Sequence, residues 1–167
     1  HMIGPTEGDT ACGEIGSGRM SEPADIAAAA LELAVKRPQS LAGKAVIVTA
    51  GPTVEPIDSV RFIANHSSGK QGYAIAAALA ARGAFVTLIS GPVNLPAPAG
   101  VNCVSVQTAM QMQAAVNAAL PADIAICAAA VADWRVAKAR HAKLKKPDHH
   151  NAASMQLTLI ENPDILA

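Results

Sequence analysis

Ala45-Val46-Ile47-Val48-Thr49-Ala50-Gly51-Pro52-Thr53 is the stretch on which the fold turns. An unbroken apolar run of strand length, closed by a Gly-Pro turn, is what a strand buried on both faces of a parallel sheet requires. Downstream of it the spacing predicts a helix over 69–82 and a second strand over 85–90 closed by Gly91-Pro92. After the turn-rich 92–100 it predicts a third strand over 101–106. Thr108 with Gln111 forms a capping box for a helix to about residue 120. Pro121-Ala122-Asp123 then leads into a fourth strand over 124–129, and 155–160 reads as a C-terminal strand. Strands alternating with helices in this way predict an α/β, Rossmann-like, doubly wound and mainly parallel sheet. The expected strand order is 3-2-1-4 plus the C-terminal strand. Its topological switch point lies between the first and fourth strands, so a ligand is expected at their carboxyl ends, residues 49–53 and 128–133.

Upstream, residues 1–20 carry Gly4, Gly8, Gly13, Gly16 and Gly18 without hydrophobic period and read as a loop or extended arm. Ser21-Glu22-Pro23 starts a helix that ends near Pro38, so 21–43 is expected to be helix and linker. Residues 44–167 form the main domain. Asn162-Pro163-Asp164 reads as a further helix start, with Asn as N-cap and Pro at the first helical position. A capped helix that close to the last residue suggests that the domain is C-terminally incomplete.

Composition narrows the function classes. The 167 residues are 51% hydrophobic, 16% charged and 2% aromatic, with 13 basic residues against 13 acidic. Zero net charge argues against general nucleic-acid or membrane-surface binding. The scarcity of aromatics argues against stacking platforms for single strands. The longest apolar runs, 74–81 and 124–132, fall far short of the ~20 residues of a membrane span. Cys12, Cys103 and Cys127 form no CxxC, which fits a reduced, cytoplasmic protein with neither a zinc site nor a disulfide framework. Cys103 and Cys127 fall in predicted strands and are expected to be small core residues.

A doubly wound sheet invites a dinucleotide, but the required G-x-G-x-x-G after the first strand and acidic residue ending the second are both missing. The Walker pattern fails too, since Lys70 is followed by Gln71 and residue 64 is Ala. The connection over 50–69 stands out, because such links normally take ~2–6 residues and longer ones are functional or disordered. It carries Glu55, Asp58, Arg61, Asn65, His66, Ser67 and Ser68. Ser67-Ser68-Gly69-Lys70 at a helix start is either an anion site built from free N–H groups and hydroxyls or an ordinary serine N-cap. Asp133, ending the fourth strand, is either a ligand group at the switch point or a cap for the turn at Trp134. The lysines within 138–146 read as a solvated face, and His141, His149 and His150 as exposed.

Collectively, Thr49-Ala50-Gly51-Pro52-Thr53, Glu55-Pro56-Ile57-Asp58, Val60-Arg61 and Asn65-His66-Ser67-Ser68-Gly69-Lys70 with Gly72 resemble the phosphopantothenate–cysteine ligase family. So do Ser90-Gly91-Pro92, Ala129-Ala130-Val131-Ala132-Asp133, Lys143-Leu144-Lys145-Lys146 and Asn162-Pro163-Asp164-Ile165. The match runs from Gly43 to the end of the chain. Residues 11–20 are similar to the substrate clasp of a flavin-dependent decarboxylase, which in bacteria forms the other half of a bifunctional coenzyme A biosynthesis protein. The resemblance implies ligation of 4′-phosphopantothenate with cysteine, driven by CTP with Mg²⁺ and passing through an acyl-cytidylate. It implies Asn65 and Lys143 as catalytic residues, Lys143 riding on a mobile flap. CTP would meet Ser67, Ser68, Gly69, Cys127, Ala128, Ala129, Asp133, Lys143, Ile160, Glu161, Asn162 and Pro163. Arg61, Asn65 and Ala130 would meet the second substrate, while the metal ligands stay unassigned. Cys12 corresponds to the clasp's proton donor, a role confined to the full-length parent with its FMN. A homodimer is implied for the complete ligase domain. Two alternatives stay open: a nucleotide-binding module without turnover, and an NAD(P)-binding oxidoreductase, which the missing glycine fingerprint disfavours.

Overall fold

In the computed structural model, which describes residues 3–9, 15–34, 39–145 and 155–165, the chain divides after residue 38 into two units. The first contains strands β1 (Thr6–Asp9) and β2 (Ile15–Arg19) and helix α1 (Pro23–Ala34). The glycine-rich start is therefore not a plain loop. β1 and β2 pair antiparallel from Thr6 opposite Arg19 to Asp9 opposite Ile15, with Gly8 facing Gly16. Main-chain hydrogen bonds carry such a ladder without a buried face, so no hydrophobic alternation announced it. α1 begins with Pro23 and has Asp25 in its first turn, both suited to a helix start.

The second unit runs β3 (Ala45–Ala50), β4 (Val54–Pro56), β5 (Phe62–Ala64), α2 (Lys70–Ala80), β6 (Phe85–Ser90) and β7 (Val101–Ser105). It continues with α3 (Ala109–Ala119), β8 (Ile124–Cys127), β9 (Trp134–Val136) and β10 (Leu159–Glu161). Four strands form one sheet in the order β7-β6-β3-β8, all parallel, which is the expected 3-2-1-4. β3 is central. Val46, Val48 and Ala50 face one core with Leu88 and Ala76 of α2, while Ile47 faces the other with Ile89 and Met112 of α3. Burial on both sides is why the run from Val46 to Val48 shows no polar alternation. Gly72 lets α2 approach this strand closely, since a Cβ there would fall 2.5 Å from the Ala50 Cβ.

Four expectations need correction. β10 does not join the main sheet; it pairs antiparallel with β9, and residues 155–158 are not strand. Of the two readings of the connection over 50–69, functional or disordered, the second falls: residues 54–64 form an ordered hairpin, β4 against β5. Asn162 caps no helix within the described residues. Its amide instead donates to Ala132 O at 2.7 Å and accepts from Arg135 Nη1 at 3.1 Å. Cys103 and Cys127 are exposed rather than core. They lie on the two edge strands, and α3 packs over β6 and β3, leaving the Cys127 side of β8 open.

The long connection is pinned to the sheet. Val54 N–H donates to Gln107 O at 2.7 Å. The buried Glu55 carboxyl accepts the N–H of Ala109, the first residue of α3, at 2.8 Å. The Thr108–Gln111 capping box forms as expected and serves N–H groups other than this one. Glu55→Ala leaves the Ala109 N–H buried without an acceptor and should cost about 1–3 kcal/mol of stability in urea unfolding. Glu55→Gln, which keeps a carbonyl acceptor in place, should cost less.

Candidate functional site

Beyond the last paired residues of β3 and β8 the two chains stay zipped. Thr49 O accepts the N–H of Ala128 at 3.1 Å, and Gly51 O accepts that of Ala130 at 2.8 Å. Thr53 N–H returns a bond to Ala130 O at 3.2 Å. Two hydroxyls extend the seam: Thr49 Oγ1 accepts from Ala129 N–H at 3.3 Å and Thr53 Oγ1 from Ala132 N–H at 2.9 Å. The chain therefore leaves the sheet in a set direction and delivers Asp133 to solvent. Asn162 closes the far side, its N–H donating to Asp133 O at 2.7 Å, and Arg135 Nη1 holds Glu161 O.

These elements enclose a cavity of about 520 Å³ at the carboxyl ends of β3 and β8, where the switch-point rule places a ligand. Of the residues singled out in the sequence, Cys127, Ala129, Asp133, Glu161, Asn162 and Pro163 line it. Ala130 lies in the seam opposite Pro52, Ala128 is bonded to Thr49, and Ile160 of β10 pairs with Arg135 of β9. Asn65 reaches the rim, its Nδ2 donating to Val131 O at 2.9 Å. Trp134, the one tryptophan, also lines the wall and is about half exposed. Sequence reasoning noted it only as a turn; a lone aromatic directly after Asp133 was the available signal.

Ser67, Ser68 and Gly69 lie at the start of α2 rather than in this cavity wall. The N-cap is Gly69 itself, with φ 71° and no side-chain cap, so the serine N-cap does not form. Ser67 Oγ instead accepts the N–H of Gly69 at 3.3 Å. An α-helix leaves its first N–H groups without intrahelical acceptors, and no capping side chain covers those that follow Gly69. A Cβ at residue 69 would lie 2.9 Å from Val93 Cγ1 and 3.5 Å from Gly51 Cα, which shows how closely this helix end abuts the exit of β3.

Lys143 and Arg61 share a different hollow of about 620 Å³, lined also by Val60, Leu144 and Lys145. The turn over 57–61 organises it. Asp58 Oδ1 accepts the N–H groups of Val60 and Arg61 at 2.9 and 3.0 Å. Oδ2 accepts Leu144 N–H at 3.0 Å and pairs with Arg61 Nη2 at 2.8 Å. The same Nη2 donates to Leu144 O at 2.6 Å. Arg61 Nε is buried without a partner among the described residues. Lys138, His141, Lys143 and Lys145 are exposed, as a solvated face would be. Cys12, Lys146, His149 and His150 lie outside the described residues. Among the described residues no three His, Cys, Asp or Glu side chains cluster as a metal site, and no helix is long and apolar enough to cross a membrane.

Burial opposes ionisation of Asp58, but the three N–H bonds and Arg61 outweigh it and lower its pKa from 3.8 to about 2. A folded-state pKa below the unfolded one stabilises the fold above the unfolded value, and that contribution is lost as pH falls through about 2. Between pH 4 and 2 the chain should therefore lose stability more steeply than Asp58→Asn, with no such difference between pH 6 and 8. Urea midpoints across that range measure it.

Residues 41–167 match the family described as the DNA/pantothenate metabolism flavoprotein C-terminal domain. The coenzyme A biosynthesis bifunctional protein CoaBC of Vibrio vulnificus (strain YJ016) is 49% identical over 165 residues, covering 98% of this chain and 40% of the relative. CoaBC of Escherichia coli (strain K12) is 48% identical over 168 residues, with 98% and 40% covered. The chain thus spans about 40% of the length of these relatives. The crystal structure of the C-terminal domain of CoaBC superposes with a TM-score of 0.65 at 40% identity, covering 77% of this chain and 58% of that one. The DNA/pantothenate metabolism flavoprotein from Streptococcus pneumoniae, 24% identical with a TM-score of 0.58 over 74% of this chain and 62% of its own, shares the fold. Sequence, strand order and structural neighbours agree, and the chain belongs to the DNA/pantothenate metabolism flavoprotein C-terminal domain family.

Proposed function

We propose that this chain carries the CTP-dependent ligation of 4′-phosphopantothenate with cysteine in coenzyme A biosynthesis. The observation that carries the reading is the switch-point cavity, in a chain whose relatives near 49% identity are named for coenzyme A biosynthesis. The carboxylate of 4′-phosphopantothenate attacks the α-phosphate of CTP, forming a P–O bond and releasing pyrophosphate. The cysteine amine then attacks the acyl carbon of the acyl-cytidylate, expelling CMP and losing a proton. The nucleoside end occupies the cavity between Cys127–Ala129 and Asn162–Pro163, and the phosphates extend toward the uncapped start of α2 at Ser67–Gly69. Lys143 supplies positive charge as negative charge builds between carboxylate and triphosphate. Asn65, anchored by Nδ2 to Val131, keeps its Oδ1 and a second N–H for the intermediate. Arg61 and Ala130 complete the phosphopantothenate side, Ala130 as part of the seam wall, its own main-chain groups being bonded to Gly51 and Thr53.

Mg²⁺, when bound, neutralises phosphate charge, and it needs only one or two carboxylates when a triphosphate supplies the other ligands. Asp133 and Glu161 on the cavity wall are of that chemistry. In the longer protein, a decarboxylase half with FMN and the Cys12 clasp would process the product. A homodimer of the complete ligase domain and a cytoplasmic location complete the reading; the three cysteines without a CxxC motif support the latter.

Isothermal calorimetry should find CTP binding this chain more tightly than ATP or NADPH; tight NADPH binding with silent CTP would remove the ligase reading. In the protein that carries this sequence, Lys143→Gln should lower acyl-cytidylate formation about a hundredfold or more, as loss of a transition-state charge does. Asn65→Asp should impair both formation and use of the intermediate. Quenched-flow trapping separates the two effects, and small, equal losses would take both residues off the catalytic list.

A further inference from the structure

Leu144, the neighbour of Lys143, has both its main-chain groups held by one pair of side chains. Its N–H donates to Asp58 Oδ2 at 3.0 Å, and its carbonyl accepts from Arg61 Nη2 at 2.6 Å. The pair is itself closed by a 2.8 Å contact between those two atoms. The Asp58 carboxyl is fully buried, and its other oxygen is used up by the turn that presents it, on the N–H groups of Val60 and Arg61. That turn is locked again by the N–H groups of Ile57 and Asp58 donating to Arg61 O at 2.8 and 3.2 Å. Four residues before Leu144, Arg140 N–H donates to Ile57 O at 3.0 Å. The segment over 140–144 is therefore tied at both ends to a single rigid turn, and Lys143 lies between the ties. An exposed segment held only at its ends keeps a defined backbone position while its side chains stay free to move.

We propose that Asp58, acting with Arg61 on the main chain of Leu144, is a positioning residue that sets where Lys143 is presented. The inference rests on the ligase reading only for the task given to Lys143; the clamp is a matter of geometry. Asp58 acts through Lys143 and touches no substrate. Arg61 has been given a substrate contact of its own, so Asp58 is the cleaner member to test. Asp58→Asn retains one carbonyl oxygen for the turn but loses the charge that holds Arg61.

The test has two arms. In this chain, amide hydrogen exchange at Arg140 and Leu144, the two N–H groups of the segment with acceptors, should accelerate at least about tenfold in Asp58→Asn, with the β3 and β6 amides unchanged, as for a local opening. In the protein that carries this sequence, pyrophosphate release should show kcat lowered about tenfold to a hundredfold with KM for CTP nearly constant, the pattern of a misplaced transition-state group. In a Lys143→Gln background the same substitution should cost less than about threefold further, because both changes remove one interaction. A merely structural role predicts multiplicative losses instead, and that result overturns the proposal. Unchanged exchange at Arg140 and Leu144 overturns the clamp while leaving Lys143 untouched. A Lys143→Gln protein of full activity overturns the role of Lys143 and the positioning claim with it, whatever the exchange arm reads. If Asp58→Asn fails to fold, Asp58→Glu read by the same exchange and kinetic cycle takes its place.

Discussion

Two threonine hydroxyls settle a problem that a parallel sheet leaves open at its carboxyl edge. The ladder between β3 and β8 ends at Thr49 and Cys127, and beyond it each chain would otherwise have to find its own partners for exposed main-chain groups. Thr49 Oγ1 and Thr53 Oγ1 take the N–H groups of Ala129 and Ala132, and three main-chain bonds fill the interval. Residues 128–132 thereby run alongside 49–53 without being a strand. The cavity, the exposure of Asp133 and the return of Asn162 onto Ala132 O all depend on that shared direction. A sheet with ligands at its switch point needs such a splayed yet fixed rim. On the β8 side the small residues Cys127, Ala129 and Ala132 form part of the cavity wall.

The same logic explains which parts of the fold were legible. The β3 run was readable because burial on both faces is written directly into consecutive apolar residues. The Thr108–Gln111 box was readable because it is local. β4 and β5 were not, because Glu55 and Pro56 are poor strand formers and their pairing with Ile63 and Phe62 is decided by what the hairpin packs against. β10 was recognised as extended, but its partner, Trp134–Val136, is too short to show periodicity, so the sequence could not say which sheet it joins. For the exposed cysteines, a strand prediction identifies alternate faces but not which face a helix covers.

At the site, the switch-point rule located 49–53 and 128–133 because topology alone determines them. The partner at the far wall was reached only through resemblance, since Asn162 meets Ala132 across 30 residues of chain. Asp58 looked like one polar residue among several on a long connection. Its contact with Leu144 joins positions 86 residues apart, which no local pattern reports. The length of the connection fits a functional or a disordered segment equally, and the structure makes it ordered by committing its polar residues to tertiary ties. Glu55 goes to α3, Asp58 to Leu144 and Asn65 to Val131.

That commitment constrains how each residue can act. A side chain committed to the fold offers a ligand only its remaining groups. Asn65 has given one N–H to Val131 O, so an amide, unlike a carboxylate, can hold the rim and still present an acceptor and a donor. Replacing it with Asp would place a carboxylate oxygen against the Val131 carbonyl, two acceptors facing each other, before any substrate arrives. The rim itself would be disturbed, whatever ligand it meets. Lys143 carries no such double duty: its neighbour Leu144 makes the ties, through main-chain atoms that any residue possesses. On the proposed reading, the fold separates holding from acting at the lysine and combines them at the asparagine. Substitutions at the two positions differ in kind because the geometry, and not only the chemistry, differs.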